Sequence, residues 1–396
     1  MQSTPCLPPS TLIAPSPHKA MPQAQALSAL FAYFGVIMGS WTGRIPALRD
    51  ALQLSVGELS IVLLCGGLGA TLSSALSSGV SLNFGGRMSQ RTKLLIAGLA
   101  LLLLLLMIGL APNWPLLMLA VFLLGVSAST FDIGMNAAAA HQESLHAQSL
   151  MARLHACASA GGLAGVMLGS GMAWMQYSPI QHFSLLMLPC VLLLCLGVRS
   201  LRVDVVSEKL TTRKPAFVLP RGDVALLGML GCLAAIAEGS IANWSGVFMA
   251  DQFGASISLA PLSLAAFSTM MLLSRFHGDR LKVAMGAQGL ICGGALIAAV
   301  GIYLAVFASA TLIAISGFAI AGLGLALVFP FVLSGAGRQG ATAIAGVAAM
   351  TYTGSVIGPP LLGGIAQWLG LQAALGFTGL LTLAIAGIAM RVPLLR

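Results

Sequence analysis

Two acidic residues lie inside stretches that are apolar enough to cross a membrane. Asp132 belongs to the run LLMLAVFLLGVSASTFDIGMNAAAA at residues 116–140, and Glu238 lies in the run at 224–249. A charged side chain near the centre of a membrane helix costs about 2.5–3.5 kcal/mol on insertion scales, so an acid there normally faces a polar cavity or a proton path. A buried, unpaired carboxyl group can be neutral near physiological pH and can load and release a proton. We therefore predict proton coupling or substrate binding at Asp132 or Glu238, with a structural ion pair or hydrogen bond as the alternative.

Polar and aromatic residues near these acids are candidates for binding a solute. Asn136 follows the first acid by one helical turn and lies on the same face, and Asn243 and Trp244 follow the second acid by five and six residues. Asparagine supplies both a donor and an acceptor, and tryptophan supplies a flat apolar wall with one N–H group. Together with Trp41 in the first apolar run, these residues predict a binding path for a small polar solute, such as a sugar or polyol.

Arg44 and His155 each have two interpretations. Arg44, in SWTGRIPALRD at residues 40–50, either gates the path or binds an anion, or it forms a topological or interhelical salt bridge. His155 lies at the start of the fifth apolar run, where its near-neutral titration would suit proton handling if the ring reached the cavity. The histidines at 141, 146 and 155 lack the spacing and the cysteine or carboxylate partners of a metal site, so no metal or cofactor is expected.

The composition is that of a membrane protein. The 396 residues are 58% hydrophobic and 7% charged, whereas a soluble domain is about 25% charged. The net charge of +9 comes from basic residues in short loops between apolar runs, which is typical of membrane orientation and not of a nucleic-acid surface. We therefore expect the lipid bilayer as a partner and no nucleic acid.

The apolar runs predict an all-α protein with twelve transmembrane helices in two pseudo-symmetric six-helix halves. Residues 1–22 contain six prolines and no apolar core, which predicts a flexible tail without a helix or a cleaved signal peptide. We assign the first half to 23–199, a basic cytoplasmic linker to 200–223 and the second half to 224–396. The predicted spans are 24–42, 58–79, 94–112, 116–140, 152–175, 182–199, 224–249, 260–276, 284–306, 310–334, 342–367 and 371–391.

Glycine spacing supports both close helix packing and an internal repeat. Gly161, Gly165 and Gly169 form one small-residue stripe in the fifth span, and Gly35 and Gly39 provide another in the first span, so the helix backbones can approach closely. The segments AGGLAGVMLGSG (160–171) and TGSVIGPPLLGG (353–364) share three glycine positions and occupy the fifth span of each half. Repeats with the site at their interface are typical of secondary transporters.

The loop charges predict the orientation of the chain. With both termini in the cytoplasm of a bacterial inner-membrane protein, nearly all loop lysines and arginines fall on the cytoplasmic side. All five tryptophans then fall near the outer ends of the spans, where an interfacial aromatic belt would place them; packing between helices is the alternative.

From residue 24 onward, this pattern resembles the major facilitator superfamily. The loop signature of that superfamily, G-x-x-x-D-R-x-G-R-R, is present in degraded form as GVSLNFGGRM (79–88), where Arg87 fits and Asn83 replaces the acid. The segment RFHGDRLK (275–282) looks like the second copy and keeps Asp279 and Arg280. The resemblance implies that Arg87, Asp279 and Arg280 belong to gating loops.

FDIGMNAAA in the fourth span, ARLHACASAGGLAG in the fifth and AEGSIANW in the seventh are similar to the fucose-permease-like branch of sugar–proton symporters. That branch implicates a fourth-span acid in proton coupling, usually glutamate, and the matching position is Asp132. The drug antiporters' proline in the fifth span is missing, and the pair Pro359–Pro360 lies in the eleventh span instead.

The predicted function is therefore proton symport of a small polar solute, a sugar or related metabolite, by a monomer that rocks its two halves around a midplane cavity. Proton-coupled export of amphipathic compounds is the alternative from the same fold, and a receptor or scaffold that no longer transports is a third possibility. An enzyme is not expected, because no nucleophile–base set lies within the spans.

Overall fold

The computed structural model describes residues 17–79, 89–146, 150–201 and 220–395, and this part of the chain consists of helices joined by short turns and loops. Residues 1–16 of the predicted tail, 80–88 with the first gating loop, and 202–219 of the predicted linker lie outside the described residues. The helices are α1 Pro17–Ala51, α2 Val56–Gly79, α3 Gln90–Leu110, α4 Trp114–His146, α5 Met151–Trp174, α6 Pro179–Ser200, α7 Asp223–Phe253, α8 Leu262–Val306, α9 Thr311–Leu325, α10 Val328–Gly337 and α11 Ala341–Ala389, followed by a short 3-10 turn at Pro393–Leu395.

These helices make twelve crossings. At 1.5 Å per residue, the 45 residues of α8 and the 49 of α11 would each extend for roughly 70 Å, more than twice the hydrocarbon thickness. Both bend back sharply, α8 at Gly286 (φ 69°) and α11 at Gly370 (φ 85°), in a backbone conformation that favours glycine. Each therefore crosses twice, whereas α9 and α10 together make one crossing. The predicted twelve-helix, all-α fold is confirmed.

The crossings alternate between two faces. We call the face that holds Pro17 and Leu395 the terminal face, and the opposite face, where α1 ends at Ala51 and α7 ends at Phe253, the distal face. Among the described loop and helix-end residues, basic side chains are concentrated at the terminal face: Arg91, Lys93, Arg153, Arg199, Arg221, Arg280, Lys282, Arg338 and Arg391.

Two predicted boundaries are wrong. α1 begins at Pro17, inside the segment predicted as a tail without a helix, because proline is tolerated in a first helical turn. The predicted gating loop 275–282 is helical, because α8 continues without a break as far as Gly286. The charged residues of this segment therefore lie on the part of α8 that approaches the terminal face. Arg280 and Asp279 therefore lie on a helix and not in a loop.

Small residues bring α1 and α5 into backbone contact, as the glycine stripes predict. A Cβ atom at Gly35 or Gly39 would overlap a carbonyl oxygen of α5, and one at Gly161 or Gly165 would overlap a carbonyl oxygen of α1. In the second half, a Cβ atom at Gly354 of α11 would overlap the Cys232 carbonyl of α7. The glycines that match in the two sequence segments therefore make equivalent helix pairs, which gives the internal repeat a structural meaning.

The tryptophan prediction is correct for part of the set. Trp114, Trp174 and Trp368 are exposed at the distal ends of their helices, as an interfacial belt requires. Trp41 and Trp244 are buried. They belong to α1 and α7, which pack against each other across the two halves, so neighbouring helices cover both rings.

Polar contacts close the two halves against each other at the distal face. The Arg49 guanidinium of α1 contacts the Asp251 carboxylate of α7 at 2.5 Å. The Ser170 hydroxyl of α5 donates to the carbonyl of Ser258, which lies in the segment between α7 and α8. The structure thus represents the distal-closed state.

The tightest contact of this closure joins α2 and α11. A Cβ atom at Gly363 would overlap both Oγ and Cβ of Ser60, and the Cβ position of Ser60 is fixed by its backbone. The neighbouring Gly364 has open space where a Cβ would lie. Closure therefore requires glycine at 363 but not at 364.

Gly363→Ala is expected to open the distal face, because its methyl group and the Ser60 side chain cannot occupy the same space. Distances between spin labels at Ala51 and Leu369, one in each half, should shift to a longer population. Gly364→Ala is the matched control and should leave the distances unchanged. Equal distributions in both variants would contradict this account of closure.

Candidate functional site

A hydrogen bond at mid-depth joins the two halves through Asp132. The Tyr352 hydroxyl of α11 donates to Asp132 Oδ2 at 3.3 Å. On α4 itself, Asn136 Nδ2 donates to Asp132 Oδ1 and to the Asp132 carbonyl, each at 2.9 Å. Asn136 thus lies on the same helix face as the acid, as the spacing of four residues predicts.

Open space reaches this group. The Tyr352 side chain is 55% exposed although it bonds to a residue of the other half, and both Asp132 and Asn136 are partly exposed. The partners found for the Asp132 carboxylate among the described residues are neutral donors. The sequence interpretation missed Tyr352, although the polar run TYTGS at 351–355, inside an otherwise apolar span, was a usable signal.

The second acid has a basic neighbour. Arg275 Nη2 of α8 lies 3.8 Å from Glu238 Oε2 of α7, and the two side chains are 29% and 27% exposed. Of the two acids, Glu238 is therefore the one that forms the ion pair given as the alternative to proton coupling or substrate binding. The sequence interpretation placed Arg275 in a loop and so missed it; the continuous helix up to Gly286 carries it into the bundle instead.

A proline on the neighbouring crossing anchors Arg275. Pro330 has no N–H group, so the carbonyl of Ala326, four residues earlier, loses its helical donor. Arg275 Nε donates to that carbonyl at 3.1 Å. The break between α9 and α10 therefore supplies the acceptor that fixes the guanidinium beside Glu238.

His155 lies near the same group from the first half. Its exposed ring packs edge-on against Phe31 at 5.3 Å between centroids, and Arg275 lies within electrostatic range of it. The two halves thus meet at two places described here: Asp132 bonds to Tyr352, and His155 lies within electrostatic range of Arg275.

Two predicted binding residues do not line open space in this state, and a third is partly exposed. Trp41 and Trp244 are buried, so neither ring offers a face to a solute. Asn243 is partly buried and donates from Nδ2 to the Gly239 carbonyl of its own helix at 2.7 Å. Because α1 and α7 pack together in the distal-closed state, both rings lie inside the bundle, and a solute-binding wall at Trp41 and Trp244 stays a prediction.

Arg44 has a structural role in this conformation. Its side chain is buried and donates to the Gly169 carbonyl of α5 at 3.1 Å and to the Tyr177 carbonyl, just before α6, at 2.5 Å. It therefore ties α1 to α5 and to the following turn through hydrogen bonds to carbonyls, and a binding or gating role for Arg44 stays a prediction.

Of the remaining candidates, the structure describes the side chain of Arg280 alone. Arg87 lies outside the described residues, and the side chain of Asp279 is likewise not described. Arg280 is exposed on α8 toward the terminal face. Among the described residues, no group of three or more histidine, cysteine or acidic side chains could hold a metal ion.

Comparison with known proteins identifies the family. The family model described as Major Facilitator Superfamily matches residues 26–339. An uncharacterized MFS-type transporter of Yersinia pestis is 31% identical over 376 residues, which cover 93% of this chain and 96% of that protein.

Solved structures show the same fold. The nucleoside transporter NupG superimposes with a TM-score of 0.70 at 13% identity, covering 93% of this chain and 98% of the other. The D-xylose–proton symporter gives a TM-score of 0.70 at 15% identity, covering 95% and 98%. With its twelve crossings, this chain belongs to the Major Facilitator Superfamily and is a membrane transporter of small solutes, not an enzyme.

Proposed function

We propose that the protein is a proton symporter of a small polar solute and that Asp132 carries the proton. The observation that carries this proposal is the hydrogen bond from Tyr352 to Asp132, which links the two halves at mid-depth. Transporters of this architecture work by rocking one half against the other around a site between them. Because Asp132 lies at the boundary between the halves, its protonation state can control the movement of one half against the other.

The partners of Asp132 support this role. Tyr352 and Asn136 are neutral donors, so they leave the charge of the carboxylate uncompensated. Protonation of Asp132 neutralises this carboxylate, so no uncompensated charge is buried when the two halves move against each other. With an uncharged solute, each proton that moves through the membrane field contributes about 2.3 kcal/mol per 100 mV to uphill uptake.

Glu238 takes a different role in this proposal. Arg275 lies 3.8 Å from its carboxylate, so its charge is largely balanced within the second half. We assign Glu238 and Arg275 to the solute site as the charge pair that the solute meets, and Asn136 and His155 to the walls of the same space. The chain shares its fold with the D-xylose–proton symporter and contains segments similar to fucose permeases. Both similarities support a solute-binding role for this space.

The orientation is part of the same proposal. By the positive-inside rule, the concentration of basic residues at the terminal face supports a cytoplasmic location for that face and for both termini. The relative from Yersinia pestis is bacterial, which supports the inner membrane as the location. Within one chain the two halves enclose the site, so we propose that a monomer is the working unit.

Asp132→Asn is expected to uncouple the transporter. In lightly buffered, de-energised vesicles, adding a transported solute should acidify the lumen with the wild-type protein and not with the variant. Solute exchange between the two sides should survive, because exchange needs no net proton movement. This exchange assay also shows that the variant is folded.

Asp50→Asn, an exposed acid at the distal face, is the control and should leave proton entry intact. Proton entry that persists in Asp132→Asn would contradict the role of this acid and transfer it to Glu238. Expulsion of cationic dyes in place of solute uptake would favour the exporter alternative.

Tyr352→Phe is expected to weaken the distal-closed state while solute-dependent proton entry persists. The variant loses one hydrogen bond across the halves, and such a bond contributes about 0.5–1.5 kcal/mol, roughly a 2- to 13-fold change in the conformational equilibrium. Spin-label distances across the distal face measure this shift. Tyr303→Phe, which alters a tyrosine stacked on Phe307 within the second half, is the matched control; an equal effect there would contradict the assignment.

A further inference from the structure

Arg275 is a basic side chain in the middle of a membrane crossing, where burying a guanidinium is energetically costly. It lies thirteen residues into α8 from the distal face and about ten before the bend at Gly286. A charge in such a position is expensive and normally serves an ion or substrate pathway. Its partial exposure of 29% shows that space of at least water size lies beside it.

Among the described residues, this guanidinium forms a hydrogen bond through one of its nitrogens. Nε donates to the Ala326 carbonyl that Pro330 leaves free, which fixes the plane and direction of the group. The four N–H groups on Nη1 and Nη2 have no hydrogen bond to the described residues, because the 3.8 Å approach of Nη2 to Glu238 exceeds hydrogen-bonding distance. An oriented pair of terminal nitrogens is the geometry that binds a carboxylate through two parallel hydrogen bonds.

The partner carboxylate is also incompletely satisfied. Glu238 Oε1 is buried and has no hydrogen-bond partner among the described residues, and Oε2 has only the long contact to Arg275. A close, bidentate ion pair would occupy two of the four terminal N–H groups of Arg275. This pair is loose, so a second carboxylate can take the guanidinium without first breaking a short hydrogen bond.

We propose that the solute carries a carboxylate group and that this carboxylate binds the terminal nitrogens of Arg275 in place of Glu238. The inference rests on the proposed function and names the substrate class of that same site. A hydroxylated carboxylic acid, such as a sugar acid, would satisfy Arg275 with its carboxylate and the Asn136 and Tyr352 side chains with its hydroxyl groups.

Charge balance links such a solute to the proton. Asp132, Glu238 and Arg275 together carry one net negative charge when all are ionised, and a bound carboxylate raises this to two. One proton taken up on Asp132 restores the original balance, so the anion and the proton favour each other's binding. A cationic solute would instead be repelled by the guanidinium, and a neutral solute would leave the Arg275 and Glu238 charges paired.

The test compares three solute classes of similar size in proteoliposomes: sugar acids and hydroxy acids, neutral sugars and polyols, and amino sugars. We expect proton entry with carboxylates alone, and, at one proton per carboxylate, no dependence of uptake on an imposed membrane potential. Proton entry driven by a neutral or cationic solute would overturn the carboxylate inference and leave the symport proposal intact. Silence from all three classes with folded protein would overturn both.

Pro330→Ala tests the anchoring while keeping every charged group. The new N–H group can bond the Ala326 carbonyl, so Arg275 loses its fixed direction, and the KM for the carboxylate should rise about tenfold with little change in maximal rate. Arg275→Lys, which keeps the charge but loses the paired nitrogens, should raise KM similarly. Pro189→Ala, which restores an N–H group on exposed α6, is the control. Unchanged KM in both Pro330→Ala and Arg275→Lys would overturn the inference.

Discussion

Charged groups can persist inside an apolar helix bundle only where the protein satisfies them or open space reaches them. This constraint explains the arrangement at the centre of the protein. Asp132 is met by neutral donors from its own helix and from the other half, whereas Glu238 is met by Arg275 within its own half. Asp132 thus lies at the boundary between the two halves, whereas Glu238 forms a charge pair within the second half.

The packing that positions these groups depends on residues without chemistry of their own. Glycines allow α1 to approach α5 and α11 to approach α7 at backbone distance, and the matching positions give each half the same internal pairing. Pro330 contributes through the N–H group that it lacks, because this leaves the carbonyl of Ala326 without its helical donor. The carbonyl that it frees becomes the acceptor for Arg275, so a break in one helix fixes a charged side chain of another.

Much of the fold follows from the sequence, because hydrophobic length and glycine spacing are local properties. The twelve crossings, the equivalent helix pairs and the Asp132–Asn136 contact could be predicted in this way. Arg275 and Tyr352 could not be assigned, since their importance comes from neighbours more than fifty residues away in the chain. Trp41, Trp244 and Arg44 show the same limit: their depth and residue type suggested binding, but inter-helix packing buries all three.

The central claim is that Asp132 changes its protonation when the solute binds. The most direct measurement is the solute-induced infrared difference spectrum of the reconstituted protein, in which a protonated carboxyl group gives its own C=O stretching band. We expect the solute to produce such a band in the wild-type protein, and we expect the band to be lost in Asp132→Asn while solute binding remains. A band that persists unchanged in the variant would contradict the claim.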